Sequence, residues 1–597
     1  MNLNKASRLH CILNCVEDAQ SFLSEFGEEH MQWNLFSTHD GVGDFLSSRN
    51  VECTNLTSFL TNAFLVRTFK EIEEPFDELT CRLDKSVSKK ISALLGISDL
   101  AYFNSLYAYF GKLKLLGLFK LNQALKILLR QKTPKKFLVY YSRNKEFLDA
   151  SDEIVELVKK HSKKLGFDLL LRENTTKSAP VSFGKKVSPY WTNPVQLDKG
   201  KKTIILLGYL YDLGFLKNQL PETYNTILWP QLGYPGNLPY PKDTDENLFD
   251  ELRSTLSSLK TRSLTPDQDS ELNFGLMMVE NHMIEDFLMH LEDYLTPLLV
   301  LNDFISKNPI HLGLWGNPPH SGSKALITNF LMNNDIPVIG SQHGGNYGTQ
   351  NCYSMHFDTD FSRCSHFLSY GFTYEDLKAT YPSRTTNCEI VPVGSCLEQS
   401  RVESSSKSKA KIDILFPLTN AMSIFPEGCR PKSDLLTTYQ TKILKHLDQL
   451  DQLRVVVKPF KDSSYENCSV MQVISMLENI EVIDDMHLTD CLKENEVRAI
   501  VSEYPSSPMF EVIGLDTEIF QLSAPNIPFS KESLELLTRR VHWFEDIDNM
   551  LEMLGLWVKG SLKHKRDLSF YNKFLFKENT KDLILRTIEK CLLNKKN

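Results

Sequence analysis

Residues 310–341 read as strand, turn, helix and strand, and this unit constrains the fold more than any other feature of the chain. The run 310–315 is apolar (IHLGLW), and the turn Gly316-Asn317-Pro318-Pro319-His320-Ser321-Gly322-Ser323 follows it. A helical pattern then continues to Asn333, with Ser321 and Ser323 as N-cap candidates, before a second apolar run at 336–341 (IPVIGS). Strands joined by a crossover helix lie parallel, and a parallel sheet needs cover on both faces. The same alternation recurs along the chain. Strands are expected at 8–16, 33–39, 137–141, 167–172, 203–207 and 226–229, and again at 412–416, 453–457, 480–483 and 499–502. Helical patterns cover 17–29, 58–129 and 270–307. The class is therefore α/β. The stretch 230–267, rich in Pro, Gly and polar residues, reads as a long surface loop or insertion.

With 597 residues the chain exceeds what one hydrophobic core organises. A boundary is expected at 400–411 (SRVESSSKSKAK), which has no large apolar residue after Val402. The expected division is 1–400 with a helical insertion, 408–566, and a basic helical tail at 567–597. A net charge of −8 argues against a dedicated nucleic-acid binder, which needs a net basic face to displace counterions. The twelve cysteines form no C-x-x-C pair, consistent with reduced thiols in the cytoplasm. The N-terminus lacks a signal-peptide pattern, and no apolar run is long enough to span a bilayer. The stretch 107–129, interrupted by Lys112, Lys114, Lys120 and Lys126, reads as an amphipathic helix pair with a solvated lysine face. Its alternative use is peripheral contact with anionic lipid at the inner face of the membrane.

The box Gln342-His343-Gly344-Gly345-Asn346-Tyr347-Gly348 follows directly on the second strand of the βαβ unit. Its glycines let the backbone approach a ligand closely, and Gln342, His343 and Tyr347 bring hydrogen-bonding groups and a titratable imidazole to the strand's carboxyl end. The plainer alternative is a turn with a satisfied core histidine. His320 ends the preceding strand ahead of a helix N-terminus suited to an anion, with Asn317 beside it as a further substrate contact. His39-Asp40-Gly41 follows an early strand, where an Asx-type turn is the favoured reading. Asp358-Thr359-Asp360 is a D-x-D sequence, but Phe357 and Phe361 flank it and no other acidic residue clusters nearby. A reaction without metal or other cofactor is therefore expected.

Polar groups also recur at strand tips beyond residue 411. Thr419 and Asn420 follow the first strand, Lys458-Pro459 ends the second, and Ser506 and Ser507 precede a helix that carries Glu511. A lysine at a strand tip and a serine-capped helix start both suit a phosphate, and Glu511 one turn further on suits a ribose.

The box QHGGNYG, the Lys458-Pro459 tip and the segment VSEYPSSPMFEVIGL (501–515) resemble a family of bacterial surface-carbohydrate transferases that act on O-antigen, flagellar or capsular glycans. They resemble, more distantly, the two-domain GT-B glycosyltransferases. The resemblance implies two Rossmann-like domains whose parallel sheets face a cleft, an acceptor on the first domain, a nucleotide-sugar donor on the second, and a final helix returning to the first. It implies as partners a CMP-linked ulosonic acid donor and a glycan or glycoprotein acceptor. The related enzymes commonly carry His-Pro where this chain has Lys458-Pro459. On this expectation Lys458, Ser506 and Ser507 hold phosphate, while Thr419, Asn420 and Glu511 contact the nucleoside. Gln342, Gly344, Gly345, Tyr347 and Asn317 meet the sugar, and His343 or His320 is the base. Alternatives on the same fold are a polyol-phosphate transferase or a UDP-sugar 2-epimerase. A non-catalytic scaffold with a degenerate cleft is a third.

Overall fold

The computed structural model describes residues 9–13, 16–38, 42, 45–46, 49, 51–56, 60, 62–131, 134–141, 151–173, 197–208, 210–229, 246–260, 270–320, 322–351, 355–396, 410–419, 433–459, 469–524 and 528–593. Every strand pairing between named strands is parallel, as the βαβ reading requires.

The described strands form three sheets. The first contains β1 (Leu9–Leu13), β2 (Trp33–Ser37), β3 (Cys53–Asn55), β4 (Lys136–Tyr141) and β5 (Asp168–Glu173), in the order β3-β2-β1-β4-β5. The second contains β6 (Thr203–Leu207), β7 (Asn225–Trp229), β8 (Leu312–Trp315), β9 (Val338–Ser341), β10 (His366–Ser369) and β11 (Glu389–Pro392), in the order β11-β10-β9-β8-β6-β7. The third contains β12 (Ala410–Pro417), β13 (Val455–Lys458), β14 (Ile480–Val482), β15 (Asn495–Ser502), β16 (Glu518–Leu522) and β17 (His542–Phe544). Its order, β14-β13-β12-β15-β16-β17, is the 3-2-1-4-5-6 order of a Rossmann sheet, with its switch point between β12 and β15. The strands expected at 137–141 and 167–172 belong to the first sheet and not to the one that carries the box. An apolar run reports burial, not which strand will pair with it.

A layer of helices covers the second sheet on one side. It includes Asn62–Leu95, Phe110–Gln131, Glu271–Met289 and Leu291–Lys307, whose buried side chains join Ile205, Trp229 and Trp315 in one cluster. The expected single helix over 270–307 is broken at His290. Ser270 caps the first half, its hydroxyl accepting from the Asn273 N–H at 3.1 Å. On the opposite face, Ile204, Leu206, Leu314, Ile339 and Leu368 pack with Ile584, Ile588 and Cys591 of the terminal helix Thr580–Leu593. Lys202 donates to the Leu592 carbonyl at 2.6 Å, and Lys590 pairs with Glu389 at 2.9 Å.

Three expectations are corrected. The lysines of 107–129 are not a solvated face: Lys112, Lys114 and Lys120 are buried, and Lys126 pairs with Glu271. Lys112 reaches Asp77 at 2.6 Å and Asp358 at 2.9 Å, so counter-charges from other elements bring it inside. The stretch 110–131 is also one helix and not a pair. Finally, 230–267 is not loop throughout, because it contains the helix Glu246–Lys260, whose Phe249, Leu252 and Leu256 are buried. Among the described residues no helix is long and apolar enough to cross a membrane.

Candidate active site

After β9 the chain enters a tightly held loop. Gln342 is buried, and both ends of its amide are occupied. Its Oε1 accepts from the Tyr370 N–H at 2.8 Å, and its Nε2 donates to the Gly344 carbonyl at 2.5 Å. Gln342 therefore shapes the loop from inside and is not open to a sugar. Gly348 has φ +67°, and a Cβ there would sit 2.4 Å from the Phe372 ring, so glycine is required on two counts. Further along, Gln350 forms an antiparallel bridge with Phe529 and donates to the Pro505 carbonyl at 3.0 Å.

These contacts lay the loop after β9 on the helix Ser507–Val512 after β15. A Cβ on Gly345 would lie 2.1 Å from the Phe510 Cβ, and one on Gly344 would lie 3.2 Å from the Ser507 Oγ. The carboxyl ends of the second and third sheets thus meet. His343, Gly344, Gly345, Ser507, Phe510 and Glu511 line a crevice of about 30 Å³ there, together with Tyr211, Tyr370, Ser395 and Leu575. Tyr211 holds a left-handed backbone, φ +47°, which costs a non-glycine residue about 1–3 kcal/mol. Such strain clusters at ligand sites. A larger groove of about 810 Å³ lies elsewhere, between the helix Asn62–Leu95 and Ser383-Arg384, and includes no residue expected in the site.

His343 is half-buried, and burial lowers its pKa to about 3, helped by the nearby charges of His320 and Lys324. It is a neutral imidazole at physiological pH. Its Nδ1 lies 2.7 Å from the Tyr347 hydroxyl, which donates to Asp360 Oδ1 at 2.8 Å. Tyr347 is buried and stacked on His356 at 3.8 Å, so it supports His343 and does not face a sugar. Asp360 is buried too, and desolvation raises its pKa to about 7 against the opposing pull of Thr359, Tyr347 and Arg363. The His320 ring centroid is 6.2 Å from that of His343, and its Nδ1 is buried with no hydrogen-bond partner. Its pKa falls to about 4 through burial, then Lys324 and Arg363.

Sequence reasoning missed Lys324. It stands in the first turn of the helix Gly322–Asn333 and donates to the Asn317 carbonyl at 3.0 Å, and burial lowers its pKa to about 8. Its place one helical turn beyond His320 was the available signal. Asn317 contributes this carbonyl to the site.

On the side of the third sheet, Ser506 starts the helix Ser507–Val512 without a side-chain capping bond, and its hydroxyl is 3.4 Å from Thr419 Oγ1. Glu503, at the end of β15, is fully buried. Its Oε1 accepts from the Thr419 N–H at 2.9 Å and the Gln440 amide at 2.8 Å, while its Oε2 has no hydrogen-bond partner. Burial raises its pKa. Lys458 does not reach the crevice: it is buried, and its Nζ turns back to the Pro459 carbonyl at 2.9 Å. Asn420 and His39-Asp40-Gly41 lie outside the described residues. Asp358 and Asp360 are engaged by Lys112 and Tyr347, respectively. Among the described residues no group of three or more His, Cys, Asp or Glu is arranged to hold a metal ion.

Residues 277–516 match the model of the LIC12162 family transferase. The matched stretch is less than half of the chain but includes every expected site residue. Comparison with curated proteins gives no match. Among solved structures, the chain is similar to the UDP-GlcNAc 2-epimerase from Neisseria meningitidis bound to UDP-GlcNAc. The identity is 11% and the TM-score 0.38, over 65% of this chain and 100% of that one. S. aureus MnaA with UDP gives 12% identity and a TM-score of 0.39, over 66% and 99%. Sucrose-phosphate synthase from Thermosynechococcus elongatus gives 10% and 0.34, over 65% and 98%. Likeness at this level says nothing of chemistry.

Proposed function

We propose that the chain is a glycosyltransferase that moves a sugar from a nucleotide donor, a CMP-linked ulosonic acid, onto a bacterial surface glycan, lipopolysaccharide or flagellin acceptor at the cytoplasmic face of the membrane. One observation carries the reading. A loop bearing a neutral imidazole lies directly on the helix Ser507–Val512, where the carboxyl ends of two parallel sheets meet. Ligands of open α/β sheets bind at such ends. The match of residues 277–516 to a transferase family supports it.

In this reading Ser506 and Ser507 meet the donor phosphate, and Thr419 and Glu511 meet the nucleoside. Glu503 joins the nucleoside side through its unpaired Oε2. Lys324, close enough to His343 to lower its pKa, is the cation offered to the phosphate in place of Lys458, whose Nζ turns to the Pro459 carbonyl. His343 takes the proton of the acceptor hydroxyl. The acceptor oxygen bonds to the anomeric carbon while the bond from that carbon to the phosphate oxygen breaks, and the nucleotide leaves with the electron pair. Water must be excluded during this step, which closure of the loop on the helix achieves.

The test is a thermal-shift panel of CMP, UDP and GDP, followed by turnover of matching nucleotide sugars with and without acceptor. Stabilisation by a nucleotide and acceptor-dependent donor loss are expected. Absence of any nucleotide-induced shift would overturn the reading. Conversion of a UDP-sugar without acceptor would indicate an epimerase instead.

A further inference from the structure

We propose that Asp360, acting through Tyr347, holds His343 in the tautomer with its proton on Nδ1 and leaves Nε2 as the proton-accepting nitrogen. The purpose of this arrangement rests on the glycosyltransferase reading. The arrangement itself rests on geometry.

Tyr347 has a single hydroxyl proton. Above about pH 7, where the carboxyl is ionised, that proton goes to Asp360 Oδ1 at 2.8 Å, and the second carboxylate oxygen accepts from Thr359 Oγ1 at 2.5 Å. The carboxyl is thus surrounded by donors. The Tyr347 oxygen also lies 2.7 Å from His343 Nδ1. With the hydroxyl proton already given away, this contact is a hydrogen bond only if Nδ1 carries a proton; otherwise two lone pairs face each other. A neutral imidazole has one N–H, so Nε2 is then bare. His343 is neutral, because burial desolvates the ring and His320 and Lys324 stand close by. The tyrosine ring is clamped by His356 at 3.8 Å and by Phe367 at 5.7 Å, which fixes the hydroxyl between its two partners. The charged and titratable groups around this chain are Arg363 and Cys364 near Asp360, His356 against Tyr347, and His320 and Lys324 near His343. None of the three linked residues carries this meaning alone. Asp360 is a positioning residue, and its distance from Nδ1, 3.9 Å, shows that it acts through the tyrosine.

The test uses full-length protein labelled with ¹⁵N-histidine, with H343Q to assign the His343 ring signals. In the wild type, Nε2 is expected to resonate as an unprotonated nitrogen and Nδ1 as a protonated one. Y347F removes the relay, and the Nε2–H form should then dominate, as in free histidine. D360A frees the tyrosine proton for Nδ1 and should shift the ring the same way; if D360A fails to fold, Y347F decides alone. A wild-type ring already protonated on Nε2, or a Y347F spectrum like the wild type, would overturn the proposal. In turnover, Y347F is expected to lower kcat by about 10²-fold with donor KM within about threefold, and H343Q/Y347F to be no slower than H343Q. If H343Q turned over like the wild type, His343 would not be the base, but the spectra would still decide the tautomer.

Discussion

Gly345 lies so close to Phe510 that a Cβ at 345 would sit 2.1 Å from the phenylalanine's own Cβ. Backbone on one sheet's loop is pressed on the other sheet's helix, with no side chain between. Gly345→Ala must therefore push the two apart. We expect a loss of about 1–3 kcal/mol in denaturant unfolding, as for overpacking elsewhere, together with loss of turnover. Gly344→Ala should be milder, because its Cβ would meet only the Ser507 hydroxyl at 3.2 Å. Equal effects of the two substitutions would contradict this account of the contact.

The crevice of about 30 Å³ holds only a few water molecules, whereas ligand sites of drug size occupy about 300–1,000 Å³. Loop and helix must separate before a nucleotide sugar enters. Cysteines placed at Gly344 and Ser507 should close a disulfide that holds them together. The oxidised double variant should show no nucleotide-induced rise in melting temperature, and the same variant after reduction should show one. An unaltered shift in the oxidised form would mean that the donor binds elsewhere.

His356 is fully buried, and burial lowers its pKa from 6.5 to about 3, with His343 and His320 adding to the shift. Between these values the unfolded chain binds the proton and the folded chain does not. The stability His356 contributes is thus present above about pH 6.5 and is lost as the pH falls toward about 3. His356→Gln should flatten the decline in melting temperature between about pH 7 and pH 5. Parallel curves for the two proteins would refute the assignment.

Lys112→Met should cost about 3 kcal/mol, because it strands Asp358, whose side chain is only 11% exposed. The check is a chemical denaturation curve beside Lys112→Met/Asp358→Leu, which removes both charges and should recover much of the loss.

The βαβ unit was legible because its two apolar runs and its turn all point to one structure, and it folds as Leu312–Trp315, Gly322–Asn333 and Val338–Ser341. The strand Thr203–Leu207 was legible to the residue, since all five of its side chains are buried. The strands Cys53–Asn55, His366–Ser369, Glu389–Pro392, Glu518–Leu522 and His542–Phe544 escaped notice. They are short, and two begin on a charged or polar residue, Glu518 and His542, that tertiary partners bring inside. Glu518 is buried because His542 and His564 reach it, at 2.9 and 2.5 Å. The site divides in the same way. The box and Ser507 are legible as strand-tip groups. The closing of Gly345 on Phe510, the turning of Lys458 onto the Pro459 carbonyl, and the seating of Asp360 behind Tyr347 are not, because each depends on a partner that local sequence does not announce.

The short stretch 355–363 has a consequence for how such chains can be recombined. Its Asp358 receives Lys112 from the helix Phe110–Gln131, its Arg363 donates to the Ser105 carbonyl at 2.5 Å, and between them Asp360 receives Tyr347. One face of this stretch belongs to the N-terminal helices and the other to the box. The first 131 residues are therefore not a cassette. A chimera that draws them from another source must supply a cation at 112 and keep the backbone at 105 in register, or the graft will disturb the histidine that this stretch supports.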